Sequence, residues 1–171
     1  DPDTGKRGSR YLRTPYSSDG EYHYPGAILT FARHTYFILA AKDVYVDRIH
    51  FGGADSRLLA FGDTNVTFHG DVVLGNEGTN NFCAHHQKCL TIDGYIKATN
   101  TLSLSGWTKS SDDAGGFFRF VRPNLEFTGK ILVTMIAPSD NCPRMNGNRL
   151  ATLYVGDPLE LGVSSGEFVY D

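Results

Sequence analysis

The sequence predicts an all-β chain, read as a short parallel β-helix-like solenoid with an extended N-terminal arm. An antiparallel β-sandwich or jelly roll is the alternative that the same strand signals allow. Three observations carry the prediction. The chain holds 19 Gly, 9 Tyr and 11 Phe, residues suited to tight turns and pleated surfaces. Short alternating segments recur as a phrase along most of its length. Outside Ala27 to Ala41 no stretch carries the spacing of an amphipathic helix.

At 171 residues the chain falls in the size range of one domain, and we expect an extended polar arm over residues 1–25 followed by a single β-rich domain over 26–171. In the arm, Lys6, Arg7, Arg10 and Arg13 interleave with Tyr11, Tyr16, Tyr22 and Tyr24 without periodic patterning. Such a segment lies over its own domain or crosses to a neighbouring subunit. The next stretch, Gly26 to His34, has a composition that could form a helix or a capping segment.

The phrase then begins. Its first copy is Phe37-Ile38-Leu39, Val44-Tyr45-Val46 and Ile49-His50-Phe51; its second is Leu59-Ala60-Phe61, Val66-Thr67-Phe68 and Val72-Val73-Leu74. The third runs through Leu90-Thr91-Ile92, Ile96-Lys97-Ala98 and Leu102-Ser103-Leu104, and the fourth through Phe118-Arg119-Phe120, Leu125-Glu126-Phe127 and Ile131-Leu132-Val133. A partial fifth holds Leu153-Tyr154-Val155 and Leu159-Glu160-Leu161. In most triplets two residues flank one that points the other way, so the flanking pair can face a core while the middle one faces water. The intervals between copies are unequal, as in a solenoid whose connections vary on one edge.

Those connections, 75–82, 106–113 and 140–146, would gather segments distant in sequence. Trp107, Lys109, Asp112, Asp113, Arg144 and Asn146 offer an indole to cover an apolar sugar face and polar groups to hydrogen-bond hydroxyls, so they are the candidate glycan-binding residues. The same residue types are ordinary in turns. Cys83 and Cys89, five residues apart, are the candidate disulfide, which leaves Cys142 over. Together with His85 and His86 they could also suggest a metal, but Cys-x-His-His-x-x-Cys matches no standard zinc spacing, and we expect no metal and no cofactor. Asn65-Val66-Thr67 is a glycosylation sequon, which suits a secreted protein.

The chain carries 16 Lys+Arg against 19 Asp+Glu, a net charge of -3. That gives no global field for nucleic acid, and no nucleic-acid partner is expected. No apolar run approaches the roughly 18 residues of a membrane span. The opening Asp1-Pro2-Asp3 lacks the basic and apolar regions of a signal peptide, so we expect the mature form of an exported chain.

One local motif is more specific. His86-Gln87-Lys88-Cys89-Leu90-Thr91-Ile92-Asp93, with His85 before it and Gly94 after, satisfies HxKxxxxD and resembles the catalytic motif of the phospholipase D superfamily. The resemblance implies His86 as the nucleophile that forms a phosphohistidine, Lys88 as a phosphate ligand and Asp93 in the same constellation. With one copy of the motif it implies a dimer as the active form. A bland reading stands beside it: Leu90 and Ile92 as inward residues of a strand, with Lys88 and Asp93 in solvent.

Two function classes follow. The first is a non-catalytic extracellular structural or adhesive subunit, such as a fibre, coat or virion component, self-associating through its arm and exposed β edges and able to bind glycans. The second is an enzyme, either a phosphodiesterase using His86, Lys88 and Asp93 or a polysaccharide-active β-helix enzyme.

Overall fold

A computed structural model describes residues 10–15, 17–62, 64–75, 78–85, 88–107, 116–122, 127–135, 152–154 and 167–170. The first half of the strands are β1 (Arg10–Arg13), β2 (Ser17–Phe31), β3 (Thr35–Leu39), β4 (Ala41–Phe51), β5 (Arg57–Ala60), β6 (Val66–Leu74) and β7 (Thr79–His85). The others are β8 (Cys89–Asp93), β9 (Ile96–Lys97), β10 (Thr101–Trp107), β11 (Phe117–Phe120), β12 (Lys130–Met135), β13 (Thr152–Tyr154) and β14 (Glu167–Tyr170). Among the described residues no helix occurs, so none is long and apolar enough to cross a membrane.

The strands form two sheets. Sheet A runs β1-β3-β5-β7-β10-β12-β14, and sheet B runs β13-β11-β8-β6-β4-β2, with β9 also pairing β6. Every pairing between strands is parallel. Consecutive strands alternate between the sheets through most of the chain, so it winds as a β-solenoid of about four turns. This is the short parallel β-helix that the recurring phrase predicted, and the antiparallel sandwich is set aside.

The core is built of columns, because in-register residues on successive coils face the same way. In sheet A, Phe37, Leu58, Phe82 and Leu104 stack in register. In sheet B, Val44, Phe68, Ile92 and Phe120 do the same, and Ile49, Val72 and Ile96 continue beyond a bend. All of them are buried. A fully buried side chain of this size contributes about 1.5–3 kcal/mol, so the columns hold the coils together.

The bend in sheet B has a local cause. The β4–β6 register shifts between Tyr45 and Arg48, and Gly70 sits there at φ 152. A Cβ on Gly70 would collide with the carbonyl of Val46, and one on Gly94 with the carbonyl of Gly70. Three coils therefore turn the same corner with backbone against backbone, a close approach that only glycine permits.

Three expectations are corrected. Of the expected arm over residues 1–25, the stretches 10–13 and 17–25 are strand: β1 pairs β3 and β2 pairs β4, so they form the terminal rung of both sheets, while 1–9 and 16 lie outside the described residues. Tyr22 and Tyr24 point into the core and Glu21 and His23 point out, an alternation disguised by tyrosine at the inward positions. Gly26 to Phe31 is the end of β2, not helix, because it lies beside β4 and makes sheet hydrogen bonds. The expected connection 75–82 contains the start of β7, a central strand of sheet A. Buried Asn80 occupies an inward position there, where an apolar residue would have signalled a strand.

Candidate functional site

The outward face of sheet B before the bend carries the densest cluster of chemical groups among the described residues. His23, Tyr45, His69 and Asp93 occupy one register row across β2, β4, β6 and β8. Adjacent strands stand about 4.8 Å apart, which is close to the stacking distance of flat rings. Accordingly His23 stacks on Tyr45 at 4.3 Å and 2°, and Tyr45 on His69 at 4.3 Å and 5°.

The His69 imidazole lies between two carboxylates. Its Nδ1 is 3.1 Å from Asp93 Oδ2 and its Nε2 is 3.1 Å from Asp43 Oδ1. A neutral imidazole donates from one nitrogen only, so both contacts are hydrogen bonds when the ring is an imidazolium or one carboxyl keeps its proton. Arg122 Nε donates to the other oxygen of Asp93 at 2.9 Å. On the first rung His23 Nε2 lies 3.0 Å from Glu21 Oε2. Desolvation, followed by the carboxylates of Glu21, Asp43 and Asp93, holds the Tyr45 phenol above its ordinary value.

These groups are largely satisfied by one another. The inner ring faces are covered by neighbouring rings, and Asp43 and Asp93 are engaged. Chemically the row is a brace across four coils. Among the described residues no group of three or more His, Cys, Asp or Glu is arranged to hold a metal ion.

Beyond the bend the outward face changes character. Arg48 and Asp71 stand opposite each other in register, with Arg48 Nη2 3.7 Å from Asp71 Oδ2. The Tyr95 backbone N–H donates to Asp71 Oδ1 at 3.1 Å. These residues, with Val72, Val73 and Lys97, line a surface hollow of about 240 Å³.

On the outward face of sheet A, Asn81 Nδ2 donates to Ser103 Oγ at 3.1 Å, and Ser105 Oγ donates to Asn81 Oδ1 at 2.8 Å. Cys83 is buried beside this network. Burial pushes its thiol up to about 11, against smaller lowering effects of the Ser105 hydrogen bond and of Arg57.

The sequence-predicted residues fall out as follows. Cys83 and Cys89 are both free thiols, which corrects the expected disulfide: Cys83 belongs to β7 in sheet A and Cys89 to β8 in sheet B. Asn65 is exposed, and its Oδ1 accepts a hydrogen bond from the Cys89 backbone N–H at 2.9 Å. Leu90 and Ile92 are fully buried, as the bland reading of the motif expected. Lys88 precedes β8 and Asp93 ends it, about 16 Å apart along an extended strand. His86, Lys109, Asp112, Asp113, Arg144 and Asn146, with the side chain of Trp107, lie outside the described residues.

The cluster of His23, Asp43, Tyr45 and His69 was missed. Its signal was a coil-length repeat: His69 and Asp93, Asp71 and Tyr95, and Asn65 and Cys89 are each 24 residues apart and in contact. The hydrophobic triplets come from both sheets, which hides that period.

No family model matches the chain, and neither a curated protein nor a solved structure is significantly similar to it. The class defined by the coordinates is the parallel β-solenoid, and function has to be argued from its surfaces.

Proposed function

We propose that this chain is a non-catalytic extracellular structural or adhesive subunit that lengthens by stacking solenoid on solenoid. One observation carries the reading: the N-terminal rung is built as core but is not finished as core. Leu12, Tyr22, Tyr24 and Leu29 face inward and pack on the buried columns, yet each remains only partly buried. Among the described residues no strand lies beyond β1 or β2. The outer edge of β2 is 15 residues long, and an edge of that length is a template for another chain.

The occupant that fits is the opposite end of a second copy. Parallel strands there would continue both sheets in the same sense and cover the half-buried side chains. Such a contact is heterologous, so it grows into an open filament unless the rotation closes it. The exposed sequon at Asn65 suits an exported chain.

Negative-stain microscopy with light scattering tests the reading. Regular filaments or large oligomers are expected, and Leu29→Lys, which places a charge inward on the terminal rung, is expected to return the protein to monomers with its fold intact. A wild-type monomer at high concentration would overturn it.

A second reading treats the His86 to Asp93 stretch as a phosphodiesterase centre, and it draws support from the imidazole of His69 and the guanidinium of Arg122 beside Asp93. It requires that the protein hydrolyse bis(p-nitrophenyl) phosphate and that His86→Ala abolish the activity. Hydrolysis unaffected by that change would remove it.

A further inference from the structure

One corner of the core holds polar groups that neither the brace nor the terminal rung uses. In sheet A, Thr35, Ser56 and Asn80 stand one residue before the in-register positions Tyr36, Arg57 and Asn81, and so form a column of their own. All three are buried. They lie beside the apolar column of Phe37, Leu58 and Phe82, and beyond Asn80 their own column turns apolar with Leu102 and Ile131.

Asn80 is 0% exposed, and neither its Nδ2 nor its Oδ1 meets a hydrogen-bond partner among the described residues. The side-chain Nδ2 and Oδ1 of Asn100 are likewise buried and unpartnered. Register brings the two amides to one place. Thr101 pairs with Thr79, so Asn100 comes one residue before that pair and Asn80 one residue after it. With strands about 4.8 Å apart and a rise of about 3.3 Å per residue, their Cα atoms are separated by roughly 8 Å along this diagonal. Two amide side chains that share one small molecule can span that distance.

Four amide atoms withdrawn from solvent without partners are costly, and buried polar atoms in folded chains pair with protein groups or with ordered water. The protein groups nearest at hand are already engaged. Ser56 Oγ donates to the Ala32 carbonyl, the Ser56 carbonyl accepts the Asn81 N–H, and the Thr79 carbonyl accepts the Asp55 N–H. An apolar occupant would leave all four atoms bare. A cation would serve only the two oxygens, and an anion only the two nitrogens. Water both donates and accepts, and Ser56 fills less of this column than Leu58 fills of the neighbouring one.

We infer that this corner is a buried hydration site, with at least one ordered water bound between Asn80 and Asn100. The water ties the coil of β7 to that of β10 from inside the core, as Asn81, Ser103 and Ser105 tie them on the outward face. It also accounts for an amide at an inward position of a central strand. The site lies within one copy, so it stands apart from the stacking reading.

A crystal structure in which ordered solvent is visible tests this directly. A water oxygen within about 3.2 Å of an amide atom of Asn80 and of one of Asn100 is expected. Solvent density absent between them, or both amides paired with protein groups alone, overturns the proposal. In solution, water ¹⁷O magnetic relaxation dispersion counts long-lived internal waters. The wild type is expected to hold at least one more than Asn80→Leu, whose side chain neither donates nor accepts. Equal counts in two proteins with matching amide spectra away from the corner overturn it as well. Asn100→Leu gives the same comparison if Asn80→Leu does not fold.

Discussion

His69 shows how one residue ties coils together when the chain between its partners runs to 24 and 26 residues. Its ring stacks on Tyr45 and holds two carboxylates, so His69→Ala removes a stacking partner and leaves Asp43 without its imidazole. We expect a loss of about 1–3 kcal/mol in urea unfolding, partly recovered in His69→Phe, which restores the stack alone. Equal losses in the two variants would show that the hydrogen bonds carry the whole effect.

Cys83 and Cys89 provide a second residue-scale test. Folding raises the Cys83 thiol to about 11 from 9.0, so the folded state keeps a proton that the unfolded chain gives up. The associated stability is fully present below the unfolded value near 9 and is lost as pH rises toward 11. A Cys83→Ala protein should lose less stability over that window than the wild type. In a Cys142→Ser background, native-state labelling should modify half-exposed Cys89 before buried Cys83; simultaneous labelling would contradict the burial.

At the scale of elements, the strands were legible and their phase was not. Alternating triplets such as Val66-Thr67-Phe68 and Leu90-Thr91-Ile92 announce half-buried strands, and both became neighbours in sheet B. The triplets do not say which sheet they join, because both sheets use the same alternation. β7 was hidden by Asn80 at an inward position, and β2 by inward tyrosines and the Pro25-Gly26 interruption. The candidate site was less visible still, since its residues meet only once the coil length is known.

The bend was also silent in sequence, where nothing marks Gly70 and Gly94 as neighbours at one corner. Their column is now a specific prediction. Gly70→Ala drives a methyl into the Val46 carbonyl at a positive φ and should cost on the order of 3 kcal/mol or prevent folding, whereas Gly26→Ala meets no atom within 4 Å and should cost about 1 kcal/mol through its positive φ. Comparable thermal stability for the two variants would show that the corner is not set by backbone contact.

For the whole molecule, the solenoid is quasi-one-dimensional: each coil contacts mainly its neighbours, and stability grows with each added rung. The columns are fully buried in the middle coils, while Leu12, Tyr22, Tyr24 and Leu29 of the N-terminal rung are only partly buried, so that rung has apolar surface for a partner to cover. The reading of an extracellular subunit rests on this asymmetry. Under that reading we expect stability to rise with protein concentration, because a partner that binds only the folded end stabilises it by mass action.

The most direct test of stacking is amide hydrogen exchange in β2 at low and at high protein concentration. Pairing of the β2 edge that has no neighbour among the described residues predicts that amides between Ser17 and Phe31 gain protection as concentration rises, while those of central β6, already paired on both sides, stay unchanged. If β2 exchanges equally fast at both concentrations, its edge has no partner and the stacking account is wrong.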